Sequence, residues 1–145
     1  MTNSPEHPKA GKDQSLETPV RVTSSAQEGY AQRIDAGGHE LRADEPVSAG
    51  GSNTGPSPTD LLLASLGACT SITLRMYAQR KGWDLGSIQV SIALRDEGEN
   101  QRIERHITFS APLLPEQRSR LAEISEKTPV TKMLKNGIAI RTILS

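Results

Sequence analysis

Ser57-Pro58-Thr59-Asp60-Leu61-Leu62-Leu63-Ala64-Ser65-Leu66-Gly67-Ala68-Cys69-Thr70, continued to Gly82, is the stretch that decides the fold of this chain. Both of its ends carry helix signals. Ser57 suits an N-cap, Pro58 the first helical position, and Asp60 the acid of a capping box. Arg80 and Lys81 fall in the last turn, and Gly82 can close it in a left-handed cap. From Leu61 to Cys69 the residues are apolar or small on every side, which predicts a helix surrounded by protein. The second half is amphipathic, with Ile72, Met76 and Tyr77 on its apolar side and Arg75, Gln79 and Arg80 elsewhere. Cys69 is the only cysteine among 145 residues. It lies in the buried half, and chemistry is expected there if anywhere.

Upstream, residues 1–17 are polar, with Pro5, Pro8 and Gly11, and are expected to form a loosely held tail. Residues 18–145 are expected to form one domain, the natural number for this length. Val20 and Val22 alternate with Arg21 and Thr23 as in a strand. Glu28-Gly29 reads as a turn. Tyr30 to Ala36 and His39 to Asp44 read as two more strands joined at Gly37-Gly38, completing an antiparallel three-stranded meander. The loop from Pro46 to Pro58 is rich in Gly, Ser and Pro. Gly50 and Gly55 brush against a phosphate-loop spacing, but Pro56 stands where the phosphate-binding lysine would be. A flexible connection to the helix is the better expectation.

Downstream, Ile88, Val90, Ile92 and Leu94 alternate along one strand, and Ile103, Ile107 and Phe109 mark its return after a turn at 96–100. Arg102 to Arg105 read as the wet face of that hairpin. Pro115 opens a second helix with Leu121 and Ile124 inside, and Thr128-Pro129 opens a third that Asn136-Gly137 ends. Ile138 to Leu144 is expected to be a last strand. The order is α+β, with strands in antiparallel runs. One sheet covers only one side of the apolar half-helix, so a homodimer with the central helices packed inside is expected.

Lys plus Arg equal Asp plus Glu at 17 each, which gives no reason to expect nucleic acid. No apolar run is long enough for a membrane, and Met1 to Gln14 lack the apolar core of a secretory signal, so a cytoplasmic location is expected. His7, His39 and His106 are scattered, and no spacing suggests a metal or a cofactor. A dyad of Cys69 with His39 or His106 for thiol hydrolysis finds no support in spacing. Burial alone leaves a thiol inert, so a reactive Cys69 needs a cationic neighbour, with Arg33 and Arg42 as candidates by location. Asp60 precedes Cys69 by nine residues, about 13 Å along a helix and on the opposite face. Cooperation between the two needs a partner subunit; otherwise Asp60 simply caps its helix.

The stretch Gly55 to Thr70, with Arg75-Met76-Tyr77-Ala78, the hairpin and Thr128-Pro129-Val130, resembles the OsmC/Ohr family of osmotically inducible and organic-hydroperoxide-resistance proteins. The likeness runs from about Val20 to the C-terminus and is to the broad OsmC-like group. It implies an intertwined α+β homodimer with thiol sites at the interface. It implies an antioxidant role in the oxidative stress response: reduction of organic or lipid hydroperoxides by a peroxidatic cysteine, matched here by Cys69. The resolving cysteine of the family falls at Thr128, and its usual glutamate falls at Thr59, with Asp60 one place on. The expected activity is a one-cysteine thiol peroxidase whose sulfenic acid is resolved by an external thiol or dithiol. The alternative is a non-catalytic protein that holds an apolar or acyl ligand at the same interface.

Overall fold

A computed structural model describes residues 19–24 and 29–145. The tail expected at 1–17 and Glu28 of the first turn lie outside the described residues. The chain divides into two units, residues 1–58 and 59–145.

In the first unit, β1 (Arg21–Ser24), β2 (Gln32–Ala36) and β3 (His39–Ala43) form the antiparallel meander expected from the alternation. Ala36 pairs with His39, so Gly37 and Gly38 make a two-residue loop. Both have positive φ, 57° and 80°, the condition for a type I′ turn. The next segment is not the flexible connection expected from its composition. Asp44 is buried, and its carboxylate accepts the Glu45 N–H at 2.7 Å, the Thr54 N–H at 3.1 Å and the Thr54 hydroxyl at 2.7 Å. The Thr54 hydroxyl, ahead of the two backbone donors, holds this carboxyl below its ordinary range. Val47–Ala49 coils into a short 3-10 turn. A Cβ on Gly51 would lie 2.0 Å from the Glu45 carbonyl oxygen. The glycine serves close backbone approach rather than motion.

In the second unit, α1 (Pro58–Lys81) has the bounds its end signals predict. Gly82 has φ 68°, its N–H reaches the Gln79 carbonyl at 3.2 Å, and the Trp83 N–H reaches that of Ala78 at 2.9 Å, a Schellman cap. Its inner ridge is Leu66, Thr70, Leu74 and Ala78, all buried. Leu74 and Ala78 join Leu85 and Leu121 in the core, with Phe109, Trp83 and Ile124 packed around them. Of the expected apolar side, Tyr77 packs against this core, but Ile72 and Met76 are 59% and 54% exposed. The sequence shows which residues are apolar, but the neighbouring elements decide which side is covered, and Thr70 and Ala78 stand on that side with Leu66 and Leu74. By length and composition alone α1 is long and apolar enough to cross a membrane, contrary to the expectation from the sequence; a core helix passes the same test.

β4 (Ile88–Glu97) and β5 (Asn100–Phe109) pair antiparallel from Ile88–Phe109 to Glu97–Asn100. The turn is tighter than expected, only Gly98-Glu99, with Gly98 at φ 66°. α2 (Pro115–Ser125) and α3 (Pro129–Asn136) follow, each with proline in its first position. The strand expected over Ile138 to Leu144 is not formed. Ile140 and Leu144 are 90% and 94% exposed. Strand periodicity specifies a pleated segment, but a ladder also needs a neighbouring edge, and this segment has none in the described chain.

Candidate functional site

Cys69 sits mid-helix on α1 and is half-buried. It belongs to a row that climbs by steps of three and four: Leu62, Ser65, Cys69, Ile72 and Met76. Such steps keep residues on one helix face. Leu62, Ile72 and Met76 are all largely exposed, so the thiol lies in a bare apolar stripe about a quarter turn from the inner ridge. Within one chain the first half of α1 is therefore not enclosed on every side; only Leu66 of its leucines is buried. Asp60 lies nine residues earlier in the same unbroken helix, hence on the opposite face, and is exposed. The structure does not bring it to Cys69 in one chain. Thr59, beside it, is also exposed.

One residue past the thiol, Thr70 begins a buried polar relay. Its hydroxyl donates to the Leu66 carbonyl at 2.7 Å and accepts from Arg105 Nη1 at 3.0 Å. The same Nη1 donates to the Thr131 hydroxyl at 3.0 Å. Arg105 Nη2 donates to the Ser125 carbonyl at 3.0 Å and to Glu126 at 3.4 Å. Thr131 is 2.6 Å from the Thr128 hydroxyl and donates to the Ser125 carbonyl at 3.3 Å. Thr128 is thus the N-cap residue of α3, as its sequence position predicts, but its side chain caps no backbone N–H. Its buried hydroxyl is held by Thr131 instead. The chain Thr128–Thr131–Arg105–Thr70 ties the start of α3 to α1 beside Cys69.

Arg105 was read from sequence as part of a wet strand face. Its side chain is 11% exposed. The signal was available: Ile103, Arg105, Ile107 and Phe109 share one phase of β5, while Arg102, Glu104 and His106 share the other. A lone arginine in the apolar phase belongs inside, and here its N–H groups find four acceptors: two hydroxyls, a carbonyl and a carboxylate. On the wet phase, His106 contacts Glu104 at 2.9 Å and is exposed. That hydrogen bond, with Arg95 and Arg102 nearby, keeps the Glu104 carboxyl below its usual range. His39 is exposed at the start of β3, and His7 lies outside the described residues. In the first unit, Arg33 pairs with Asp35 at 3.2 Å and Glu40 at 3.3 Å, and Arg42 faces Arg33 across the ladder. Among the described residues, no three histidine, cysteine or acidic side chains cluster as metal ligands would.

The inner ridge, β5, α2 and α3 surround a cavity of about 460 Å³. Leu66, Leu74, Ile107, Phe109 and Leu121 make its apolar walls, and Arg105 crosses one side. Arg118, Glu126 and Lys135 also line it. Lys135 bonds Glu126 and, with Arg105, lowers that carboxyl below its ordinary range. Cys69, on the outer stripe, is not among the lining residues.

Residues 50–143 match the family model described as OsmC-like protein. No curated protein matches the chain. Solved structures do. An osmotic stress induced and detoxification response protein from Psychrobacter arcticus 273-4 superposes at TM-score 0.70 with 22% identity, covering 79% of this chain and 86% of its own. An OsmC-like protein from Mycoplasma pneumoniae gives 0.66 with 16% identity, over 82% and 89%. An organic hydroperoxide resistance protein OsmC from Legionella pneumophila gives 0.57 with 16% identity, over 77% and 92%. At these identities the likeness establishes a shared fold.

Proposed function

The chain belongs to the OsmC-like family, and from that premise we propose that it reduces organic hydroperoxides through Cys69, with no second cysteine of its own. Membership supports a general redox or stress-related role, and the name of the Legionella pneumophila neighbour points the same way. The observation that carries the finer assignment is the placement of Cys69. It is half-buried in an apolar stripe, open to a small molecule yet flanked by side chains suited to alkyl groups. The thiolate attacks the terminal oxygen of the hydroperoxide. The O–O bond breaks, the sulfur becomes sulfenic acid, and the alkoxide takes a proton from water and leaves as the alcohol. An external thiol condenses with the sulfenic acid and releases water. A second thiol, or the other arm of a dithiol, then attacks the mixed disulfide and returns Cys69 to the thiol.

In the same proposal a second copy of the chain covers Leu62, Ile72 and Met76, completes the thiol crevice, and brings its Asp60 toward Cys69. The bare stripe and the unpaired segment at 138–144 support such a homodimer. The protein acts in the cytoplasm. The test is consumption of cumene hydroperoxide with a dithiol donor, alongside dimedone trapping of the sulfenic acid. Cys69→Ser abolishes both. A wild-type protein with a titratable thiol that consumes no hydroperoxide with any thiol donor ends the proposal.

The engagement of Thr128 favours a second reading. The position that would carry a resolving sulfur is filled by a hydroxyl locked to Thr131. The stripe around Cys69 would then hold an apolar or acyl ligand without turning it over. Native mass spectrometry that finds no retained or exchangeable ligand counts against that reading.

A further inference from the structure

We propose that the cavity of the second unit binds a single-chain carboxylate, its apolar body inside and its head at Arg118, in a site separate from Cys69. The size fits: about 460 Å³ falls within the roughly 300–1,000 Å³ of small-molecule sites. The walls fit an apolar body, with Leu66, Ile103, Ile107, Phe109 and Leu121 facing the space.

The charge on the walls selects the head. Arg105, Arg118 and Lys135 supply three cations against the single anion Glu126. Arg105 is committed inside the protein to Thr70, Thr131, the Ser125 carbonyl and Glu126. Lys135 is committed to Glu126. Arg118 makes no side-chain hydrogen bond or ion pair among the described residues. Its guanidinium is a planar donor fork of the shape that takes a carboxylate in two parallel bonds. A cationic head would meet a surplus of like charge. A neutral head would gain no charge-assisted pair with Arg118. The ligand that answers both walls and rim is a monoanion with one apolar chain. The site is independent of the hydroperoxide proposal, because Cys69 does not line it.

Calorimetric titration of the whole protein with decanoate, decan-1-ol and decyltrimethylammonium tests this, with NMR shift mapping of the bound state. Decanoate is expected to bind saturably at one per chain, about 10- to 100-fold tighter than the alcohol, the ratio a charge-assisted hydrogen bond supplies. The cation should bind no better than the alcohol. The shifts should centre on Ile103, Ile107 and Leu121. Arg118→Glu should remove the preference for decanoate and leave alcohol binding in place, with Arg118→Gln intermediate. Both variants alter an exposed side chain, and circular dichroism checks their fold. Cys69→Ser should leave decanoate affinity unchanged even if it abolishes hydroperoxide turnover. Absence of saturable decanoate binding overturns the proposal, as does equal affinity for all three probes. Shifts confined to Leu62, Ile72 and Met76, with loss of binding in Cys69→Ser, also overturn it, since the ligand would then lie along the thiol stripe.

Discussion

The two sides of α1 differ in what they are given to do. The inner ridge, Leu66, Thr70, Leu74 and Ala78, is buried by its own chain. Leu74 and Ala78 meet the core, and the one polar member, Thr70, has both a donor and an acceptor partner. The outer stripe, Leu62, Cys69, Ile72 and Met76, is as apolar but is left half-bare. Hydrophobicity therefore does not separate the two; the presence of neighbours within the chain does. The ridge that is filled holds the unit together. The ridge that is bare carries the only thiol of the sequence and is the surface on which the proposed hydroperoxide chemistry and the proposed second copy rest.

The sharpest way to break this contrast is to trim each side in turn. Leu74→Ala should destabilise by about 2–5 kcal/mol, because a fully buried leucine leaves a cavity its neighbours only partly fill. Urea unfolding with an unmoved midpoint would show that the inner ridge is not what holds this unit. Arg105→Met comes next. It keeps the apolar stem but strips Thr70 and Thr131 of a buried donor and leaves the Ser125 carbonyl only its longer bond from Thr131. A loss of about 1–3 kcal/mol is expected, the cost of leaving such groups unsatisfied. If the loss is real but hydroperoxide turnover is untouched, the relay is structural and nothing more. On the outer stripe, Ile72→Glu with Met76→Glu should leave the helical dichroism intact, since surface changes away from special features move stability by only about 0.5 kcal/mol. Light scattering should show a monomer, in place of the dimer proposed for the wild type. A dimer that survives both charges would mean the stripe is not the contact between copies.

The same contrast explains what sequence could and could not disclose. The ends of α1 were legible because Pro58, Asp60, Arg80, Lys81 and Gly82 act locally, through capping and the helix dipole. The hairpin at Gly37-Gly38 was legible for the same reason, its two positive φ angles being a local demand. The inward ridge was not, because Ile72 outranks Ala78 on any hydropathy scale and only the neighbouring elements decide which is covered. The interior place of Arg105 follows from its strand phase, which its charge masks. The Pro46–Pro58 loop looked flexible by composition, yet Asp44 and the close approach at Gly51 fix it. The segment at 138–144 has a strand pattern without a strand, since pairing is a property of two segments and periodicity of one.

The mildest test asks whether acidity reaches the inner side of α1 and spares the outer. Glu126 accepts from Lys135 and, more distantly, from Arg105, and these cations depress its carboxyl, Lys135 foremost. A carboxyl depressed in the fold adds stability that is fully present above its unfolded value of about 4.3 and is lost as pH falls through the lower folded one. The window therefore lies below about pH 4.3. The side chain is 55% exposed, so screening limits the contribution to well under about 1 kcal/mol. Asp44 and Glu104 are depressed too and titrate in the same acid range. Only the difference between wild type and Glu126→Gln isolates this pair. Above the window the variant should be slightly less stable than wild type, and the gap should close as acid protonates Glu126. A gap that stays constant down to pH 2 would mean the ion pair contributes nothing, and that Arg105 is held by Thr70, Thr131 and Ser125 alone. Within one chain the outer stripe, Leu62, Ser65, Cys69, Ile72 and Met76, contains no carboxyl, so Glu126→Gln should leave the alkylation rate of Cys69 in the folded protein unchanged.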